Sequence, residues 1–370
     1  MTIDDIMLPV GTGDTVVNLR LRHLTGAPPG ARAVLLLHGG NTMSDIYLTP
    51  GGGLARYLHD HEYDVWLLDW RASPFVLDKL MKKKPPLGGS FAAERAAYTM
   101  DRVVDEDIVG AVTRVREAIG DGPALSIVAW CLSSGAVSMA IARGALEGKG
   151  VTNVVLMTLG LFYAVKWNSW LKAEDFIFER VLHDDPECRG VTPNPPIRWT
   201  EDMSDAYEQW PRAWLPGGEA HADDLLPRLT FMVGQPYAIK RLATSLQHAR
   251  LNDYFGPLHI GLYLHISQMV RRGFAAVFDA PELGDGAAPG DLAPGHFRDK
   301  RLTLIIGGQD GVWHREALDQ MYDWLCSNGC QPSKKVHPDR NIVELLWGQG
   351  VTDPADVYED VAKGVGPAKR

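Results

Sequence analysis

The 370-residue chain predicts an α/β fold: a doubly wound, mostly parallel sheet with a helical lid inserted late in the sequence. Three observations predict it. Short, continuously apolar runs recur, as expected of strands covered on both faces. Segments of helical period lie between them, and that alternation closes by right-handed crossovers. One long stretch, about 161–295, breaks the alternation.

Strands are predicted at 33–37, 64–68, 125–129, 151–157, 302–306 and 342–346. The first runs into His38-Gly39-Gly40, the second into Asp69-Trp70-Arg71 and the third into Trp130-Cys131. Helices are predicted at 53–61, 104–119, 134–146 and 315–327. In the second of these, Val104, Ile108, Ala111, Val112 and Val115 recur with the period of one helix face. The stretch 161–295 is rich in Trp, Tyr, Pro and His and reads as helices, 223–247 and 258–278 among them, joined by loops. Its Gly- and Pro-rich end, 283–295, reads as a linker. The expected division is therefore a core of 1–160 and 296–370 with a cap of 161–295.

Composition narrows the function classes. Hydrophobic residues make up 45% and charged residues 22%, which excludes a disordered or collagen-like chain. The net charge is −9, and Lys82-Lys83-Lys84 runs straight into Pro85-Pro86, so no basic stripe for nucleic acid is present. An acidic N-terminus is unlike a secretory signal, and no run approaches the ~18 apolar residues of a spanning helix. Four cysteines suit a reducing, cytoplasmic setting. Cys326 and Cys330 lack the partners of a zinc site, and Gly51-Gly52-Gly53 lacks the Lys-Ser/Thr of a phosphate loop. No metal or cofactor is implied, and a homodimer stays open.

The chemistry-bearing segment is Ala129-Trp130-Cys131-Leu132-Ser133. It is a strand end, then a nucleophile flanked two residues away by small side chains, then a helix. Such an elbow lifts its central side chain above the sheet and onto a helix N-terminus, where N–H groups favour a thiolate and an oxyanion. A buried structural cysteine would read alike, but the surroundings favour the elbow. His38-Gly39-Gly40 stands where a second oxyanion donor arises, with His38 itself expected to hold the loop. Asp310, after the strand 302–306, stands where the acid of a triad arises and could also cap the following helix.

These residues carry a resemblance. The chain resembles the α/β-hydrolase superfamily and is most similar to the hydrolase-like domain found with cholesterol-oxidase-type (GMC) oxidoreductases. The similar segments are 63–73, 105–111, Trp130-Cys131-Leu132-Ser133-Ser134, Phe255-Gly256, His265, Val270 to Gly273 and Asp356-Val357-Tyr358. A looser similarity is to polyhydroxyalkanoate synthases, which also place Cys in the elbow. The resemblance implies a catalytic His in the segment after the last strand. Here that segment reads Trp347-Gly348-Gln349-Gly350-Val351-Thr352-Asp353, with Val351 in the place of the His.

The expected site is then Cys131 as nucleophile, with the N–H groups of Leu132 and of Gly39 or Gly40 holding the oxyanion. Trp130 flanks the substrate and Asp310 orients or replaces the base. His314 is the first candidate for a substitute base; His259 and His265, in the insertion, could hang over the pocket, and His337 is expected at the wrong end of the sheet, with a structural role the commoner reading for each. Trp167, Trp170, Trp199, Trp210 and Trp214 could line an apolar pocket. The expected activity is hydrolysis or acyl transfer on a small apolar ester or thioester, carrier- or CoA-linked in one version. A lyase or cyclase, or an inert binding protein, remains open.

Overall fold

The structure, a computed structural model, describes residues 2–49, 52–174, 180, 183, 185–191, 225–238, 241–242, 253–279, 293–348 and 353–368. Its strands are β1 (Ile3–Val10), β2 (Val17–Leu24), β3 (Ala33–Leu37), β4 (Asp64–Asp69), β5 (Leu125–Trp130), β6 (Val151–Met157), β7 (Gly190–Val191), β8 (Leu258–His259), β9 (Arg301–Gly307) and β10 (Ser333–His337). Eight of them form one sheet in the order β1-β2-β4-β3-β5-β6-β9-β10. All neighbours from β4 to β10 are parallel, and β1 and β2 add an antiparallel edge. This is the α/β-hydrolase fold.

Every residue of β3 and β5 is buried, which is why both read as unbroken apolar runs. The edge strands hide from such a reading. In β2 the polar Asn18 and Arg20 alternate with buried Val17, Leu19 and Leu21, and β10 reads Ser-Lys-Lys-Val-His with one buried residue. The last strand is thus 333–337, and the strand expected at 342–346 is corrected. That run is apolar because it turns into the buried helix Glu344–Trp347.

Helices Gly53–Asp60, Val109–Ile119, Leu132–Ala142 and Glu316–Ser327 stand where helical period placed them. Leu132–Ala142 is buried along its whole length, and its Ser, Gly and Ala residues let it pack beneath the sheet edge. Between β6 and β9 lie the helices Trp167–Glu174, Leu225–Met232 and Ile260–Arg272. The single helix expected over 223–247 ends at Met232, since Gly234 turns to φ +113°, where a side chain would strike the Gly311 carbonyl at 2.4 Å. Trp199, Trp210, Trp214, Gly51, residues 349–352 and most of the linker 283–295 lie outside the described residues. Among the described residues no helix is long and apolar enough to cross a membrane.

Candidate active site

Strand register assembles the site. Leu37 pairs with Ala129, and Trp130 pairs with Met157, so the turns after β3, β5 and β6 meet at one edge of the sheet. Ligands of open α/β sheets bind at that edge.

Cys131 occupies the turn after β5 with φ +63° and ψ −129°, a strained conformation for any residue but glycine. Its surroundings fix it there. The Cys131 N–H donates to the Met157 carbonyl at 3.0 Å, and Ser134 N–H donates to the Cys131 carbonyl at 2.9 Å. Ser133 Oγ donates to the Leu37 carbonyl at 2.8 Å and accepts from Trp130 N–H at 3.1 Å. Ser134 Oγ accepts from Met157 N–H at 2.9 Å and reaches the Ala129 carbonyl at 2.5 Å. The two serines therefore tie the turn to β3, β5 and β6, besides being small.

Glycines make room for the turn. A methyl group on Gly39 would stand 2.8 Å from Cys131 Cβ and 2.9 Å from the Trp130 ring, and one on Gly135 would stand 2.5 Å from the Tyr163 hydroxyl.

The Trp313 indole N–H donates to the sulfur at 3.4 Å, and the backbone amides of Leu132 and Gly40 lie near enough to favour the thiolate. Of the two glycines proposed from sequence, Gly40 has its amide beside the sulfur, and Gly39 gives the close approach. Burial outweighs the donors: desolvation, with Asp310 adding, pushes the thiol up to about 12.

The loop carrying Gly40 is anchored from below. His38 is fully buried, its Nδ1–H donates to the Gly39 carbonyl at 2.7 Å, and burial pulls it down to about 4. It is a neutral brace. Trp70 Nε1–H donates to the His38 carbonyl at 2.9 Å. Asp69 accepts from Ser44 N–H at 2.7 Å, Ser44 Oγ at 2.9 Å and Arg20 Nε at 2.6 Å. Arg71 is locked on buried Asp107 at 2.6 Å. From above, Asn41 exchanges hydrogen bonds with the backbone of Gly256. Trp70, Asp69 and Gly256 thus hold the loop that carries Gly40, and Asp107 holds Arg71 beside them.

Asp310 follows β9. Its Oδ1 accepts from the N–H groups of Val312 at 2.8 Å and Trp313 at 3.0 Å. It shapes that turn and does not cap the helix Glu316–Ser327, whose N-cap is Arg315. Oδ2 is buried and has no hydrogen-bond partner among the described residues, and burial lifts the carboxyl to about 7.

The histidines are elsewhere. His314, the candidate substitute base, has a side chain 47% exposed and 3.6 Å from Glu316, because the chain turns outward into the helix after Trp313. His259 Nδ1 accepts from Gly261 N–H at 3.0 Å, and His265 Nδ1 accepts from Met100 N–H at 3.0 Å; both are buried braces. His337 ends β10 in register with Gly307. It is therefore at the same edge as the elbow, not the opposite end, but it faces Asp356 at 3.3 Å and Asp360 at 3.5 Å. With the last strand at 333–337, the segment that returns over the elbow is 338–343. It brings Ile342 and Val343 to the cavity, and Trp130 Nε1–H holds it through the Ile342 carbonyl at 3.1 Å.

A cavity of about 110 Å3 lies over Cys131, walled by Trp130, Leu132, Leu229, Met232, Phe255, Leu258, Ile266 and Val270, with Trp313 beside the sulfur. No histidine is among the described residues that line it. The aromatic wall expected from Trp167 and Trp170 is corrected: they are 58% and 42% exposed, while Lys172 on the same helix is 3% exposed and lines the cavity. Hydropathy gave no signal for that inversion.

No protein-family model and no curated protein matches the chain. Solved structures do resemble it. A lipase in an open form superposes with a TM-score of 0.57 at 12% identity, covering 100% of both chains. A thermostable carboxyl esterase from Bacillus coagulans gives 0.54 at 13% identity, covering 99% of this chain and 97% of its own. A monoglyceride lipase from Saccharomyces cerevisiae gives 0.53 at 11% identity, covering 98% and 95%. The likeness is one of fold.

Proposed function

We propose that the chain is an acyl-transfer enzyme that uses Cys131 as its nucleophile on an apolar ester or thioester. The observation that carries this reading is the strained Cys131 turn with Trp313 Nε1–H donating to Sγ at 3.4 Å and the amides of Leu132 and Gly40 beside it, under a largely apolar cavity. A buried structural thiol has no need of such donors, whereas a thiolate and the oxyanion it creates do. The resemblance of the Cys elbow, in sequence, to those of polyhydroxyalkanoate synthases and the GMC-associated hydrolase-like domain supports the same chemistry.

In the proposed first step the Cys131 thiol gives its proton to the Asp310 carboxylate, directly or through a water. The sulfur forms a bond to the acyl carbon, and the carbonyl electron pair moves onto oxygen, held by Leu132 and Gly40. Collapse expels the alcohol or thiol, which takes the proton back from Asp310. The thioester then passes its acyl group to water or to a second acceptor. A carboxyl lifted to about 7 is matched to proton transfer near neutrality, and a thiol asks less of its base than a hydroxyl does. Residues 161–295 would act as the lid over this pocket.

The test is hydrolysis of 4-nitrophenyl octanoate and octanoyl-coenzyme A by wild type, Cys131→Ser and Cys131→Ala. The reading expects Cys131→Ala to abolish turnover. A second reading, an inert binding pocket, draws on the thiol lifted to about 12; wild type without turnover on either substrate would favour it.

A further inference from the structure

Asn41 directly follows Gly40 and has φ +58°, the left-handed conformation that asparagine tolerates better than most side chains. It is 2% exposed and lines the cavity. Its partners among the described residues lie in the insertion. The Asn41 carbonyl accepts from Gly256 N–H at 2.8 Å, Asn41 Nδ2 donates to the Gly256 carbonyl at 2.9 Å, and the Tyr263 hydroxyl donates to Asn41 Oδ1 at 3.4 Å. Thr42 continues the contact as an antiparallel bridge to Phe255. Gly256 is pressed from its other side: a methyl group there would stand 2.6 Å from Pro74 Cγ. The segment 255–258 is thus clamped between the oxyanion loop and the start of the helix Pro74–Met81, and its Phe255 and Leu258 line the cavity.

We propose that Asn41 is a positioning residue for the oxyanion amide: through Gly256 and Tyr263 it makes the cap, and not the sheet alone, set where the Gly40 N–H points. This deepens the acyl-transfer reading and rests on it for the oxyanion. A left-handed residue reverses the chain directly after Gly40, so a shift of that turn carries the amide with it. Such a conformation persists only where its surroundings over-determine it, and here the bonds to Gly256 and Tyr263 do so. The braces from below, Trp70 on the His38 carbonyl and Asp69 on Ser44, hold the loop at 38 and 44. Between them, the bonds of Asn41 go to the cap. Phe255 and Leu258 would touch the acyl chain, so the segment that grips the substrate also fixes the donor. An oxyanion donor acts most strongly when it is in place before charge develops. Asn41 acts through Gly40 and is not asked to touch the reacting atoms.

The experiment titrates two ligands calorimetrically into the full-length protein, 1,1,1-trifluorooctan-2-one and octan-2-one. With the trifluoro ketone the Cys131 sulfur forms a bond to the carbonyl carbon, the carbonyl electron pair moves onto oxygen and the thiol proton passes to Asp310. Octan-2-one fills the same cavity as an unreacted ketone. A mimic of the tetrahedral state is expected to bind wild type at least about a hundredfold more tightly than its ground-state analogue. Asn41→Gly keeps the left-handed backbone accessible and removes the side-chain bonds. Loss of an oxyanion donor costs about 10²–10³, and a displaced donor part of that. The preference should therefore fall about tenfold or more in Asn41→Gly, with octan-2-one affinity within about twofold of wild type. Tyr263→Phe, which keeps the ring, should cut the preference several-fold. A folded Asn41→Gly with the wild-type preference overturns the proposal and leaves the loop held from below. So does an equal fall in affinity for both ketones, which would make Asn41 a cavity wall. If Asn41→Gly does not fold, Tyr263→Phe decides, and an unaltered preference there overturns the proposal. Absence of any preference in wild type sinks acyl transfer itself and the proposal with it, so the wild-type ratio tells the two failures apart.

Discussion

The Trp313 indole N–H lies 3.4 Å from the Cys131 sulfur, and the backbone N–H of the same tryptophan is held by Asp310 Oδ1 at 3.0 Å. One turn after β9 therefore sets both the proposed base and a donor to the proposed nucleophile. A hydrogen bond to the thiolate favours ionisation, so Trp313 and the elbow amides oppose the effect of burial.

Trp313→Phe keeps a ring against Tyr163, now 5.6 Å away edge-on, and removes the donor. A net loss of about 1 kcal/mol should slow alkylation of Cys131 by iodoacetamide several-fold at pH 8. Peptide mass spectrometry reads the rate, with exposed Cys326 as internal reference. An unchanged rate would mean that the indole does not act on the sulfur.

Asp310 gives a stability signature with a defined sign. Its carboxyl is raised to about 7 in the folded chain from an ordinary 3.8, so between those values the folded state binds more protons than the unfolded one. Its contribution is present at low pH and is lost as pH rises from about 4 to 7. Compared with Asp310→Asn, wild type should lose stability steadily across that window, measured by urea unfolding at pH 4.5, 6 and 7.5. A difference that stays flat with pH would contradict the burial of an ionisable Oδ2.

Gly39→Ala tests the close approach under the elbow. The added methyl would meet Cys131 Cβ at 2.8 Å, and forced overpacking costs typically 1–3 kcal/mol. Thermal unfolding should fall by several degrees and turnover should fall with it. Wild-type stability in this variant would show that the turn tolerates displacement.

Much of this was legible in the sequence, and the exceptions have physical causes. The inner strands and the Cys131 elbow declare themselves because a sheet buried on both faces needs unbroken apolar runs and a strained turn needs small neighbours. The edge strand β10 is half exposed and reads as polar, so its apolar neighbour 342–346 takes its place in a sequence reading. That shift moved the expected end of the sheet and with it the place of His337. Lys172 could not be found, since Trp167 and Trp170 on the same helix face solvent while the lysine faces the cavity. Nor does composition reveal that Asp69 ties down Ser44 and that Arg71 is locked on Asp107; only the contacts do.

His314→Ala should leave both stability and turnover close to wild type. The side chain is half exposed, and surface changes of this kind usually stay within about 0.5 kcal/mol. A loss of kcat of tenfold or more, with a pH profile breaking near 6–7 in wild type, would bring His314 back as the base.

The most direct test of covalent chemistry at Cys131 is the mass of the protein during turnover. Wild type is mixed with excess 4-nitrophenyl octanoate, quenched in acid within seconds and weighed intact, then mapped by peptides. The expected result is one added octanoyl group, on the peptide containing Cys131, removed by neutral hydroxylamine and absent in Cys131→Ala. Steady release of nitrophenol with no acyl group on Cys131, or undiminished release by Cys131→Ala, would contradict it.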